Sequence, residues 1–193
     1  MNTVLLIVSV GVEYPALPST VDCVGVVGFI WWLKPPVFSL NLYKGYIAGL
    51  KRGFREASTD IIVTFDADGE HRPNDIKKLV QPIAADKLDL VLGARSTIPR
   101  PSERLLNKLT QLRLDVHDSG TGLRALRRSL AVELALDTAC TCGTFVLEAA
   151  ARGARIGDVP VETRSVQKPR GIAWKHGAQF FHVLRHLLFS QTT

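Results

Sequence analysis

Asp60-Ile61-Ile62-Val63-Thr64-Phe65 is a short, β-branched, apolar run, and Asp66-Ala67-Asp68-Gly69-Glu70-His71 follows it without a gap. A run of this length and composition reads as a strand buried on both faces, so the chain must cover a sheet from two sides. In open α/β sheets, ligands gather at the carboxyl ends of the strands. An acidic turn at that position therefore points to chemistry as well as to a fold.

The flanking sequence supplies the covering layers. Leu42 to Ala57 reads as a helix weakened by Gly45, Gly49 and Gly53. Asn74 to Ala85 reads as a helix with Pro73 near its start and Ile76, Leu79, Val80 and Ile83 on one face, bent or shortened by Pro82. Leu88 to Gly93 and Ile156 to Glu162 read as strands. Ser102 is a candidate N-cap for a helix with Leu105, Leu106, Leu109 and Leu112 inward. Phe145 to Arg152 reads as a helix stopped by Gly153, and Ala173 to Phe189 as a long final helix. Strands alternating with helices define an α/β layered fold around a largely parallel sheet.

At 193 residues, with 46% hydrophobic and 22% charged residues, the chain excludes disordered and fibrous classes. The net charge of +6 favours anionic partners. From Arg164 onward there is no Asp or Glu, but Arg164, Lys168, Arg170, Lys175 and Arg185 are present. No known nucleic-acid motif accompanies these residues, so nucleic acid is not an expected partner. Cys140 and Cys142 stand one residue apart, outside the usual zinc or redox spacing, and together with Cys23 they fit a reducing compartment. The five histidines are too scattered along the chain for a metal set. Val4 to Val12 lacks a preceding Lys or Arg and reads as a buried strand, not a signal peptide. Val24 to Leu33 reads as a second buried strand, too short to span a bilayer.

Two carboxylates spaced by one residue, with a glycine allowing a sharp turn, can aim oxygens at one hard cation, and Glu70 can add a third. An EF-hand is excluded, because His71 and Lys77 stand where its Gly and terminal acid belong. Two chemistries remain open. One is phosphoryl transfer of the haloacid-dehalogenase type, with Asp66 as nucleophile and Gly157-Asp158 with Glu162 as a distal acidic motif. The other is sugar transfer from a nucleotide sugar.

For the second the sequence says more. Asp66, Asp68, Glu70 and His71 match a D-x-D-x-Q-H-like motif, with Glu70 where Gln is typical. Gly93-Ala94-Arg95 is similar to a following G-S-R. Asp118-Ser119-Gly120-Thr121-Gly122-Leu123-Arg124 is similar to D-x-x-S-G-F-R, and Glu148 matches the acid further on. Gly153 through Val161 and Arg170-Gly171 to Lys175 are similar to the G-x-x-I-x-E-V-P-I strand and the closing R-x-G-x-S-K loop. In this order the motifs resemble family 2 glycosyltransferases of the GT-A fold, in particular the dolichyl-phosphate mannose synthase group of polyprenyl-phosphate sugar transferases. The family's opening Y-N-E-like loop and D-D-G-S motif have no counterpart, and Tyr43 replaces a Gly in the N-x-G-K-G that resembles Asn41 to Gly45.

The resemblance implies a Rossmann-like GT-A fold with three layers and an atypical N-terminal part. It implies one domain over residues 1–193, with divergent strands in 1–40, the core and metal site in 41–163, and a basic loop and helix in 164–193. It also implies inverting, metal-dependent transfer from a UDP- or GDP-sugar to a polyprenyl or dolichyl phosphate. Asp66, Asp68 and Glu70 would hold Mg²⁺ or Mn²⁺. Asp66, Asp68, Arg124 and Glu148 would serve catalysis, and Arg95, Asp118, Thr121, Arg164, Arg170 and Lys175 would bind substrates. The acid-free tail suits peripheral contact with anionic lipid, at the cytoplasmic, inner face of a membrane. Because the nucleoside motifs are missing, a catalytically defective binding module is the non-enzymatic alternative.

Overall fold

The computed structural model describes residues 4–9, 45–66, 69–98, 100–138, 140–164 and 172–189. Among these, five strands form one sheet in the order β1-β2-β4-β3-β5. The strands are β1 (Val4–Ser9), β2 (Ile61–Asp66), β3 (Leu90–Arg95), β4 (Arg124–Arg127) and β5 (Ile156–Val161). β1 pairs parallel to β2 and β3 parallel to β5, while β4 runs antiparallel between β2 and β3. The sheet is therefore mixed, with four strands sharing one direction.

Period-2 alternation sorts the core into two layers. Ile62, Leu90, Leu92 and Leu126 face α1 (Gly45–Glu56), α4 (Arg128–Glu133) and α5 (Thr144–Ala151), meeting Leu50, Phe54, Leu130 and Phe145. Ile61, Val63, Val91 and Ala125 face the opposite way, onto Leu79 and Ile83 of α2 (Ile76–Ala84). A third cluster of Leu106, Leu147 and Val183 joins α3 (Pro101–Gln111) and α5 to α6 (Ile172–Phe189). This is the three-layer α/β arrangement the sequence implies.

Several expectations shift in detail. A 3₁₀ turn at Pro73–Asp75 precedes α2, and Pro82 is accommodated in the last turn, two residues before the helix ends. The N-cap of α3 is Arg100, not Ser102, because Pro101 takes the first helical position with its φ already fixed. Leu105 and Leu112 face solvent, at 51% and 76% exposure. The buried face of α3 is instead mostly polar, with Glu103, Asn107 and Thr110 beside Leu106. Gly153 does end α5, with a positive φ of 75°. The strand expected at Val24 to Leu33 lies outside the described residues. No helix among the described residues is long and apolar enough to cross a membrane.

Candidate active site

β2 ends at Asp66, and the chain enters β4 from the same edge of the sheet through Asp118 to Leu123. Thr64 pairs with Arg124 across the ladder, and its hydroxyl donates to the Gly122 carbonyl at 2.8 Å. This register brings Gly122 under Asp66. A Cβ on Gly122 would lie 1.8 Å from Asp66 Oδ2, so the missing side chain is the space the carboxylate occupies. Asp66 and Arg124 lie on the sheet face that carries Ile62 and Leu126, by the same alternation.

Arg124 is fully buried at 0% exposure. One Nη donates to Thr141 Oγ1 at 3.1 Å, and the guanidinium carbon sits 4.4 Å from the centre of the Phe145 ring. Its Nε and other Nη have no hydrogen-bond partner among the described residues. Burying guanidinium donors without partners is costly, so such a group suits an anion that arrives from outside. Tyr46 of α1 feels both Arg124 and Asp66, and burial pushes its phenol up to about 12, against the pull of Arg124. It is therefore a neutral hydroxyl at physiological pH.

Arg95 is the opposite case. Its Nε meets Asp118 Oδ2 at 2.6 Å and one Nη meets Asp118 Oδ1 at 3.1 Å, a bidentate pair. Glu103 Oε2 stands 3.2 Å and Glu70 Oε1 3.6 Å from the same guanidinium. Burial opposes the charge of Arg95, but the three carboxylates outweigh it and raise its pKa. Burial likewise pushes the Asp118 carboxyl up, yet the hydrogen bonds and charge of Arg95 hold it below the usual carboxylate range. Asp118 Oδ1 also accepts from the Gly120 N–H at 3.2 Å, and Asn107 Oδ1 accepts from the Ser119 N–H at 2.9 Å. Thr121 Oγ1 accepts from the Leu123 N–H at 3.2 Å. The loop under Asp66 is thus fixed from below by a buried polar network on the polar face of α3.

The other expected residues fall as follows. Asp68 and Arg170 lie outside the described residues. Lys175 lies in the first turn of α6, where the placement of its side chain is not described. Glu70 is buried and turned toward Arg95 and His71. Arg164 is exposed, and its backbone N–H donates to Glu70 O at 2.9 Å, with His71 bridging Thr163 beside it. That contact brings the start of the basic tail alongside the acidic turn. Glu148 accepts from the Ala135 and Leu136 N–H groups and pairs with Arg152 at 3.0 Å, which makes it a cap for the loop after α4. Asp158 faces His117, and Glu162 pairs with Arg72, so the acids of the phosphatase-like motif are engaged on β5 and just beyond it.

Sequence reasoning missed Glu103, Asn107 and Tyr46. The signal for the first two is their helical spacing with Leu106 and Thr110, once α3 is known to bury a polar face. It also missed a cluster of Cys140, Cys142 and His176. There the Cys140 and Cys142 sulfurs stand 3.0 Å apart, and His176 Nε2 is 3.8 Å from Cys142 Sγ. The hydrogen bond between the two sulfurs lowers the pKa of Cys140, while that bond and burial push Cys142 up.

The family model for glycosyl transferase family 2 matches residues 37–146, more than half of the chain. The chain belongs to this family. A UDP-N-acetylglucosamine–dolichyl-phosphate N-acetylglucosaminyltransferase of Methanococcus voltae is 37% identical over 133 residues, covering 61% of this chain and 53% of that protein. The dolichol-phosphate mannosyltransferase of Pyrococcus furiosus is 28% identical over 159 residues, 75% of this chain and 44% of the relative. The chain spans about half the length of these relatives. Glucosyl-3-phosphoglycerate synthase of Mycobacterium tuberculosis with phosphoglyceric acid superimposes with a TM-score of 0.60 at 21% identity, over 78% of this chain and 56% of that one. The same enzyme with Mn²⁺, UDP and phosphoglyceric acid gives 0.58 at 20% identity, over 78% and 55%. These neighbours share the GT-A fold. Family membership sets the phosphatase reading aside.

Proposed function

We propose that this chain carries the catalytic core of an inverting transferase that moves a sugar from a UDP- or GDP-sugar to a polyprenyl or dolichyl phosphate. The observation that carries the reading is the pairing of features on one sheet edge. Asp66 is seated over Gly122, and Arg124, two residues on, is buried with donors to spare. A carboxylate for a cation and a guanidinium for a phosphate are what a charged diphosphate donor and a phosphate acceptor require. The acceptors named for the relatives support the lipid phosphate, and the Mn²⁺ and UDP of the structural neighbour support the donor.

The donor set fits a hard divalent cation, Mg²⁺ or Mn²⁺, held by Asp66 together with Asp68. When bound, it neutralises the charge developing on the departing nucleoside diphosphate. Glu70, engaged by Arg95, acts one step removed by fixing the turn that carries these acids. Arg124, Arg164, Arg170 and Lys175 grip phosphate oxygens of donor and acceptor. Arg95, Asp118 and Thr121 hold the loop on which the sugar rests, and Glu148 fixes the neighbouring loop. A lipid phosphate is already a nucleophile, so these residues need only align it behind the anomeric carbon. Residues 1–193 act as one domain, and α6 makes the peripheral membrane contact at the inner face. Val183 of that helix is buried, while Phe181 and Leu188 are 70% and 64% exposed beside basic Arg185.

The test is calorimetric titration of the chain with UDP- and GDP-sugars in the presence and absence of Mn²⁺, followed by transfer assays on dolichyl phosphate vesicles. Metal-dependent binding and transfer that vanish in Asp66→Asn are expected. A folded chain that binds no nucleotide sugar overturns the reading in favour of a binding module.

A further inference from the structure

The cysteine–histidine cluster lies beside the loop under Asp66 and belongs to no step described above. Cys140 and Cys142 sit in the segment entering α5, and His176 comes from α6, more than thirty residues later. One donor atom from each lies within 4.8 Å of the others. His176 is 4% exposed, and its Nδ1 lies 2.8 Å from Ser102 Oγ of α3. That contact ties Nδ1 to the serine hydroxyl and leaves Nε2 turned to the sulfurs. Gln179, one turn further along α6, donates to Cys142 O at 3.0 Å and to Thr144 Oγ1 at 2.8 Å, which fixes the cysteine segment against the same helix. Both cysteines are half-buried, so one side of the group is open to solvent.

We propose that Cys140, Cys142 and His176 form a Zn²⁺ site that fastens the segment before α5 to α6, with a fourth position open to water. Two sulfurs and an imidazole select a borderline-soft cation over the hard Mg²⁺ or Mn²⁺ that carboxylates take. Tetrahedral bonds of about 2.3 Å to sulfur and 2.0 Å to nitrogen put such donors about 3.5–3.8 Å apart. The observed sulfur–sulfur and sulfur–nitrogen separations of 3.0 and 3.8 Å lie close to this, and the remaining pair is within 4.8 Å. On binding, both thiols release their protons to solvent, and the imidazole binds neutral through Nε2. The site stands whether or not the chain transfers sugar.

The test is titration of the reduced, full chain with Co²⁺, followed by absorbance. One equivalent should give thiolate-to-metal charge transfer in the near ultraviolet and tetrahedral d–d bands, both bleached by one equivalent of Zn²⁺. Zn²⁺ should also raise the melting temperature of the wild-type chain. Cys140→Ser with Cys142→Ser should abolish the bands, His176→Gln should weaken Co²⁺ affinity at least tenfold, and Ser102→Ala should weaken it about tenfold through the ring it orients. Asp66→Asn should leave the bands intact, which separates this site from the acidic turn. Circular dichroism of each variant checks that it is folded. A folded wild-type chain without charge-transfer bands, bands that survive the double cysteine variant, or a Cys140–Cys142 disulfide that forms in the presence of Zn²⁺ each overturns the proposal.

Discussion

Arg95 and Arg124 stand on adjacent strands, both buried, and they are partnered in opposite ways. Arg95 at the end of β3 is surrounded by Asp118, Glu103 and Glu70. Arg124 at the start of β4 has a hydroxyl, an aromatic ring and two idle donor positions. The first is a finished ion network that shapes a loop. The second is a buried charge with donors unused. Position in the sheet does not separate them, because both lie at the carboxyl edge. What separates them is α3, whose polar face delivers Glu103 to Arg95 and Asn107 to its partner Asp118.

The sharpest way to break this contrast is to unpair Arg95. Asp118→Ala leaves a buried guanidinium short of its bidentate partner and should cost about 3–5 kcal/mol of stability in urea unfolding. Arg124→Met should do the reverse. It removes a buried charge whose donors are partly unused, so stability should hold, while transfer to a lipid phosphate falls at least tenfold. If Arg124→Met unfolds the chain as Asp118→Ala does, the two arginines are alike and the contrast fails. Gly122→Ala should cost about 1–3 kcal/mol from overpacking and displace the Asp66 carboxylate, which calorimetry would read as lost Mn²⁺-dependent donor binding.

Acid probes the same contrast more gently. The Asp118 carboxyl is held below its unfolded value by Arg95, so its contribution is complete above a pH of about 4 and lost as pH falls through the lower, folded value. An acid-unfolding curve should therefore lose stability below about pH 4 in the wild-type chain, and that component should be absent from Asp118→Asn. The smallest effect belongs to the rim. Arg155 bridges Asp86 and Asp89 in solvent, so Arg155→Ala should move the melting temperature slightly, and less at high salt.

Much of this was readable from the chain. DIIVTF and the acids behind it located β2 and its carboxyl edge, and the apolar spacing of Ile76 to Ile83 located α2. The strand Arg124-Ala125-Leu126-Arg127 was not readable, because two arginines bracket only two apolar residues and no alternation can be seen in four positions. Its status as a central strand comes from β2 and β3 closing on it from both sides. The inward leucines of α3 were misjudged for a related reason. Periodicity assumes an apolar core, and here the core beneath the helix is Arg95 with its acids. Cys140 and Cys142 carried no visible partner, since His176 reaches them only when α6 folds back. The segment of the acidic turn that includes Asp68 is motif alone.

β4 has a consequence for how the molecule assembles. It joins β1–β2 to β3–β5 through four register pairs on one side and three on the other. Without β4, β2 and β3 would each expose an open edge. The short strand is a keystone that ties two half-sheets into one sheet. Amide protons of Ala125 and Leu126 should then exchange only on global opening, which makes them reporters of whether the whole sheet holds together.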